Sequence, residues 1–199
     1  MATDIKTSRK EATHERILEA AARAIRQGGY AGASVADVMK EAGLTHGGFY
    51  AHFESRDAMV AEAIEHAGMQ NVDSVARRMA ALQRSGASPF RSLIETYLSE
   101  QHLQSPEGGC VVAALGSEMA RQPEIVRQAS CKRVMGLVSR VEAVLPEGVD
   151  GAQAAVIASA MVGTLQMARA LDEKEGKALL ASNRKALLER YEAAGGAPA

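Results

Sequence analysis

"LTHGGFYAHF", residues 44–53, sets two adjacent glycines, Gly47 and Gly48, directly before three aromatic residues and a histidine. Glycine ordinarily breaks regular structure, yet Phe49 and Phe53 stand i, i+4, the spacing of one helix face. Just upstream, Ser34 and Asp37 open a short helix in which Val35, Val38, Met39 and Ala42 face inward, and Gly43 stops it. Thr45 is placed to cap the next helix. Residues 34–53 thus parse as helix, Gly-Leu-Thr turn, helix, the size and spacing of a helix-turn-helix.

In such a unit the second helix lies in the major groove with its N-terminal end nearest the bases. Gly47 and Gly48 fall in that first turn. Lacking side chains, they let the backbone approach DNA and leave N–H groups of the helix start free for phosphates. Phe49 and Phe53 are expected to pack inward, with Tyr50 and His52 turned outward to donate to phosphate oxygens. Taken alone, the stretch reads equally well as a surface turn with aromatic plugs.

Working outward, Ser8 and Glu11 have capping-box spacing, which predicts a helix from there to about Gln27, ended by "GGYAGA". Ser55 caps a long helix to about Gln83, with Glu54 and Asp57 at its positive end. After "SGASP", helices are expected over roughly 90–103, from Cys110, over 124–144, over 152–171 and over 173–193. No strand-like alternation or internal repeat interrupts them. The reading is all-α with about nine helices.

Composition agrees. The chain has 199 residues, 47% hydrophobic and 24% charged, with 4% aromatics and no Trp, so the core is built from aliphatic residues and Met. Cys110 and Cys131 are too few and too far apart for a disulfide framework or a four-ligand zinc site, and no metal or other cofactor is implied. No signal-peptide h-region or membrane-length apolar run stands out, which places the chain in the cytoplasm.

Residues 13–60 as a unit resemble the DNA-binding domain of the TetR family of bacterial transcriptional regulators, through "ILEAAARAI", "GGYAGASVADVMKEAGLTHGGFYAHF" and "SRDAM". The resemblance implies a helix-turn-helix domain over 1–55 and a helical ligand-binding and dimerisation domain over 56–199. It implies a homodimer on double-stranded operator DNA, acting as a repressor that a small hydrophobic or electrophilic effector releases. Residue by residue, Ser34 would cap the second helix and touch a phosphate. Thr45 would contact phosphate, and His46 and Gly47 begin the base-reading end. Tyr50 and His52 match backbone-clamping positions, and Arg56 matches a basic residue at the start of the fourth helix. Gly48 stands where the family often has a side chain able to touch a base, so direct readout is thinner here.

The net charge is −1, and residues 1–56 hold eight Lys/Arg against seven Asp/Glu, so local placement must attract DNA. Lys6, Arg9, Lys10 and Arg56 are the expected contributors. In the remainder, the helix over 152–171 is dense in small residues. Ala155, Ala158, Ser159 and Val162 are assigned to a dimer interface, with an internal core helix as the other reading. Tyr97, His102, Cys110, Met119, Met161 and Gln166 are candidate pocket residues. A Met stripe is more often plain core.

Cys110 opens a helix, where the dipole favours a thiolate, which suits a redox or electrophile sensor; a small buried thiol is the alternative. Two other classes compete: an enzyme with Cys110 as nucleophile, and a helical module that binds protein but not DNA. No Ser-His-Asp set or glycine-rich phosphate loop supports the enzyme.

Overall fold

The computed structural model describes residues 2–192, with side chains from residue 9 onward. Those residues form nine α-helices and two 3-10 turns: α1 (Ala2–Gly32), α2 (Val35–Glu41), a turn at His46–Ala51, α3 (Arg56–Arg84), α4 (Pro89–Tyr97), α5 (Glu100–Gln104), a turn at Pro106–Gly108, α6 (Val111–Met119), α7 (Glu124–Glu142), α8 (Gln153–Ala170) and α9 (Glu173–Tyr191). The all-α expectation holds.

Caps explain most boundaries. Ser34, Ser55, Ser88, Ser99 and Asp172 each accept a backbone N–H three residues on, satisfying a donor that the first helical turn leaves orphaned. Two expectations change. Helix α1 begins at Ala2, so Ser8 lies inside it rather than capping it, and Gly29, at φ 67°, breaks it near the end. The single helix expected over 90–103 is two, because the chain leaves the helix at Leu98 and Ser99 caps α5.

Two cores organise the molecule. The first joins α1, α2, the 46–51 turn and the first half of α3, down to Ala67, with Val111, Leu115 and Met119 of α6 and Val126 and Ala129 of α7. The second joins α4, α6, α7, α8 and α9 around Phe90, Tyr97, Leu98, Ile157, Met161 and Leu165. A division of the chain between residues 55 and 56 falls at the N-cap of α3, whose first turns still belong to the first core. Helix α3 spans both; its 29 residues make a rod about 44 Å long.

Candidate nucleic-acid interface

Helix α2 ends on Gly43, at φ 69°, where a left-handed turn suits glycine; Leu44 N–H then bonds back to Met39 carbonyl at 2.8 Å. This turn throws the chain into the 46–51 segment at an angle to α2. Thr45 has the extended backbone of an N-cap, but its hydroxyl caps nothing. The segment itself is a 3-10 turn, not the α-helix expected. Its i→i+3 bonds include Gly48 N–H to Thr45 carbonyl and His52 N–H to Phe49 carbonyl. Six residues with two glycines at the start lack the propensity to hold a longer helix.

Anchoring is aromatic. Phe49 and Phe53 are buried and stacked, ring centroids 5.5 Å apart, and His14 of α1 stacks on Phe53 at 4.6 Å. Tyr50 meets Phe49 edge-on yet leaves 74% of its surface to solvent. Thr45, His46 and Gly47 are exposed, while Gly48 and His52 are half-buried. A Cβ on Gly47 would meet nothing within 4 Å, and one on Gly48 would meet only Met39 Cε at 3.6 Å. The bare backbone at Gly47 therefore serves no internal packing need.

Ser34 and Arg56 are occupied internally. Ser34 Oγ accepts from Asp37 N–H and donates to Asp37 Oδ2 at 2.6 Å, which commits its proton. The Arg56 guanidinium donates to the Ala33 carbonyl at 2.9 Å and to the Tyr30 carbonyl. It faces the end of α1 and Ala33, the residue just beyond it. Arg16 similarly donates to the Ala42 carbonyl, Arg23 pairs with Glu19 and Glu41, and Arg26 bonds Gln70 and reaches the Ala67 carbonyl.

Arg9, Lys10 and Lys40 are exposed and make no ion pair among the described residues. The Lys6 side chain lies outside the described set. Lys10 acts on His52, whose pKa is lowered from its ordinary value by burial first, then by His14 and Lys10. His52 is thus a neutral hydrogen-bonding group at neutral pH, and the positive potential comes from lysine and arginine.

A family profile described as "Bacterial regulatory proteins, tetR family" matches residues 17–63, covering α1, α2, the recognition turn and the start of α3. The repressor NemR of Escherichia coli K12 is 24% identical over 140 residues, 68% of each chain. Residues 17–63 of this chain form a TetR-family DNA-binding domain.

The regulator is also 29% identical over 90 residues to the HTH-type regulator YvdT of Bacillus subtilis. That match spans 45% of this chain and 44% of the relative. Solved structures of the same fold include a TetR-family regulator from Agrobacterium tumefaciens (22% identity, TM-score 0.74, 92% of this chain and 98% of that one). Reduced E. coli NemR is another (23% identity, TM-score 0.66, 87% and 96%). The regulator is a DNA-binding transcription factor, and no described helix is long and apolar enough to cross a membrane.

The candidate pocket residues separate into groups. Tyr97, His102 and Cys110 come together: His102 Nδ1–H donates to the Tyr97 carbonyl at 2.8 Å, and Nε2 accepts from Cys110 N–H at 3.0 Å. Both ring nitrogens are spoken for, which fixes the neutral Nδ1–H tautomer and leaves no base for the Cys110 thiol. Burial lowers the His102 pKa to about 4. Met161 packs in the same core, whereas Met119 lies in the first core beside the DNA-binding half.

Gln166 lines an apolar cavity of about 330 Å³ between α6, α7 and α8, with Val112, Leu137, Val138 and Val162. Its Nε2 donates to the Ala113 carbonyl. On α8, Ala155 and Ser159 are exposed and Val162 is half-buried, but Ala158 points into the second core with 4% exposure. Val156 and Met167, which small-residue reasoning passed over, are the large apolar side chains left bare on that helix, at 54% and 61% exposure.

Proposed function

We propose that this regulator is a cytoplasmic, homodimeric repressor that binds operator DNA through residues 45–52 and is released by a small hydrophobic effector. One observation carries the DNA reading. Gly47 and Tyr50 are bare to solvent while the residues between and after them, above all Phe49 and Phe53, clamp the segment rigidly to α1 and α2. A plain surface turn has no need of an open backbone beside an exposed tyrosine. Thr45, His46, Gly47, Gly48, Tyr50 and His52 form the contact face, and Lys10 and Lys40 supply the charge.

The apolar cavity beside Gln166 suits a hydrophobic effector, and the name of the relative NemR supports repression. Direct attack by an electrophile on Cys110 is the weaker reading, because that thiol is 4% exposed. Dimerisation is assigned to the outward face of α8, through Ala155, Val156, Ser159 and Met167, together with α9.

A gel shift with fragments of the protein's own upstream region tests the reading. Tyr50→Phe should weaken binding to every sequence, since it deletes a phosphate donor and leaves the packing face alone. Gly47→Leu should fold normally and lose binding by blocking the approach to the groove. Normal operator binding by Gly47→Leu would take this turn out of the groove.

A further inference from the structure

Helix α6 has two apolar faces. Val111, Leu115 and Met119, spaced i, i+4, i+8, pack into the first core against the DNA-binding half. Val112 and Ala113 pack into the second. Glu118, one residue before the end of α6, reaches across to α1. Its Oε2 accepts the Tyr30 N–H at 3.1 Å. Its Oε1 lies over Gly29, where any Cβ would overlap it, and Gly29 stands at φ 67°. That glycine interrupts the i→i−4 ladder of α1, which frees backbone donors for a partner outside the helix. The Tyr30 N–H finds its partner in a carboxylate 88 residues away.

The other polar groups of Tyr30 are held as well. Its carbonyl accepts from Arg56 and its hydroxyl donates to Asp57, both at the start of α3. Tyr30 is thus fastened to α3 by two groups and to α6 by one. Four residues on, Ser34 caps α2, which leads through Gly43 into the 46–51 turn. Where the Tyr30 backbone is held therefore sets the direction in which α2 starts. Charge gives Glu118 no other part in DNA binding, since a carboxylate repels a phosphate backbone.

We propose that Glu118 is a positioning residue for operator binding. Its bond to the Tyr30 N–H fixes the end of α1 against α6, and with it the direction of α2 and the recognition turn. The proposal rests on the reading of residues 45–52 as the DNA-contact face. It adds a contact from well outside the residues 17–63 that match the family profile.

Glu118→Ala and Glu118→Gln, made in the full chain, test it together. Both remove the same charge, but only glutamine keeps an acceptor for the Tyr30 N–H. In a gel shift on the upstream fragments, Glu118→Ala should bind about tenfold more weakly than wild type. A bond to a charged acceptor biases two arrangements by about that factor, and apparent affinity falls with the competent fraction. Glu118→Gln should recover most of the loss. Hydrogen exchange read by NMR should show the Tyr30 amide deprotected by alanine and still protected by glutamine. Circular dichroism should find all three proteins folded at the assay temperature; a merely structural glutamate would lower the melting temperature and leave the affinity of the folded protein alone.

Equal affinity of Glu118→Ala and wild type overturns the proposal. So does tighter binding by both variants, which would make Glu118 only a repelling charge, or Tyr30 exchange that alanine leaves unchanged. Failure of the wild type to shift any DNA refutes the contact face and the proposal with it. That outcome is distinct from failure of the positioning role alone, in which wild type binds DNA and alanine binds it equally well.

Discussion

Arg56 lies across the face of Tyr30, its guanidinium carbon 4.2 Å from the ring centroid, while the same guanidinium donates to the Tyr30 and Ala33 carbonyls. Tyr30 in turn donates its hydroxyl to Asp57, the next residue on α3. The pair ties the end of α1 and the link to α2 to the start of α3. It thereby sets the angle at which α2 and the recognition turn are presented. This geometry predicts that Arg56 influences DNA binding by positioning the recognition turn and not by contacting phosphate.

Arg56→Ala should therefore cost about 2 kcal/mol of folding stability, the range for hydrogen bonds made by a charged group. Operator affinity should fall, but the slope of log affinity against log salt should stay that of wild type. A phosphate-contacting arginine would lower that slope by about one on removal. Thermal melts and a salt titration of the gel shift give both quantities. An unchanged melt with a reduced slope would return Arg56 to the DNA face.

The contrast between Arg56 and Phe49 shows what could be read from sequence. Phe49 and Phe53, Ser34 and Asp37, and Ser55 are local patterns: periodicity and capping chemistry act within four residues, so the helix-turn-helix was visible. Arg56, Arg16 and His14 find partners 23 to 48 residues away, and nothing in their neighbourhood announces it. Helix α8 was legible as a helix but not in its phase. Small residues occupy nearly every side of it, so no apolar stripe distinguished inward Ala158 from outward Ala155. Ser99–Glu100 was a readable cap and acidic first turn, masked by the absence of Gly or Pro at Leu98.

His102 should make stability sensitive to acid. Its folded pKa of about 4 lies below the ordinary value of 6.5, with burial as the main cause. Above pH 6.5 the ring is neutral folded and unfolded, and contributes no pH dependence. Between pH 6.5 and 4 the unfolded chain takes up a proton that the folded chain refuses, so stability is lost through that window, by about 3 kcal/mol at most. The stability advantage of wild type over His102→Gln should narrow as pH falls through it. Nitrogen NMR of the ring should show a protonated Nδ1 and a midpoint near 4; a midpoint near 6.5 would contradict the buried bridge.

On α8 the two neighbouring classes of residue should behave differently. Val156→Glu places a carboxylate on a side chain already 54% exposed, so the chain should fold as before. In a dimer joined through this face the same charge would be buried without a partner, at a cost of several kcal/mol. Light scattering should show a folded monomer with weaker operator affinity. Ala158→Glu instead buries the charge inside the chain's own core and should prevent folding altogether. A Val156→Glu protein of unchanged dimer mass would move the interface off α8.

The two thiols make the last comparison. Cys131 is exposed on α7, whereas Cys110 caps α6 from inside the second core, with Tyr97 and His102 around it and 4% of its surface open. A thiol reagent needs access before thiolate chemistry matters. In the native protein Cys131 should therefore react fast and Cys110 only through opening of the α5–α6 segment, at a rate set by that opening. Cys131→Ser should abolish the fast phase, and denaturant should equalise the two. Cys110→Ser should keep both operator binding and release by a hydrophobic effector. Mass spectrometry that finds Cys110 modified first, with DNA released in step, would overturn the hydrophobic-effector reading in favour of a thiol switch.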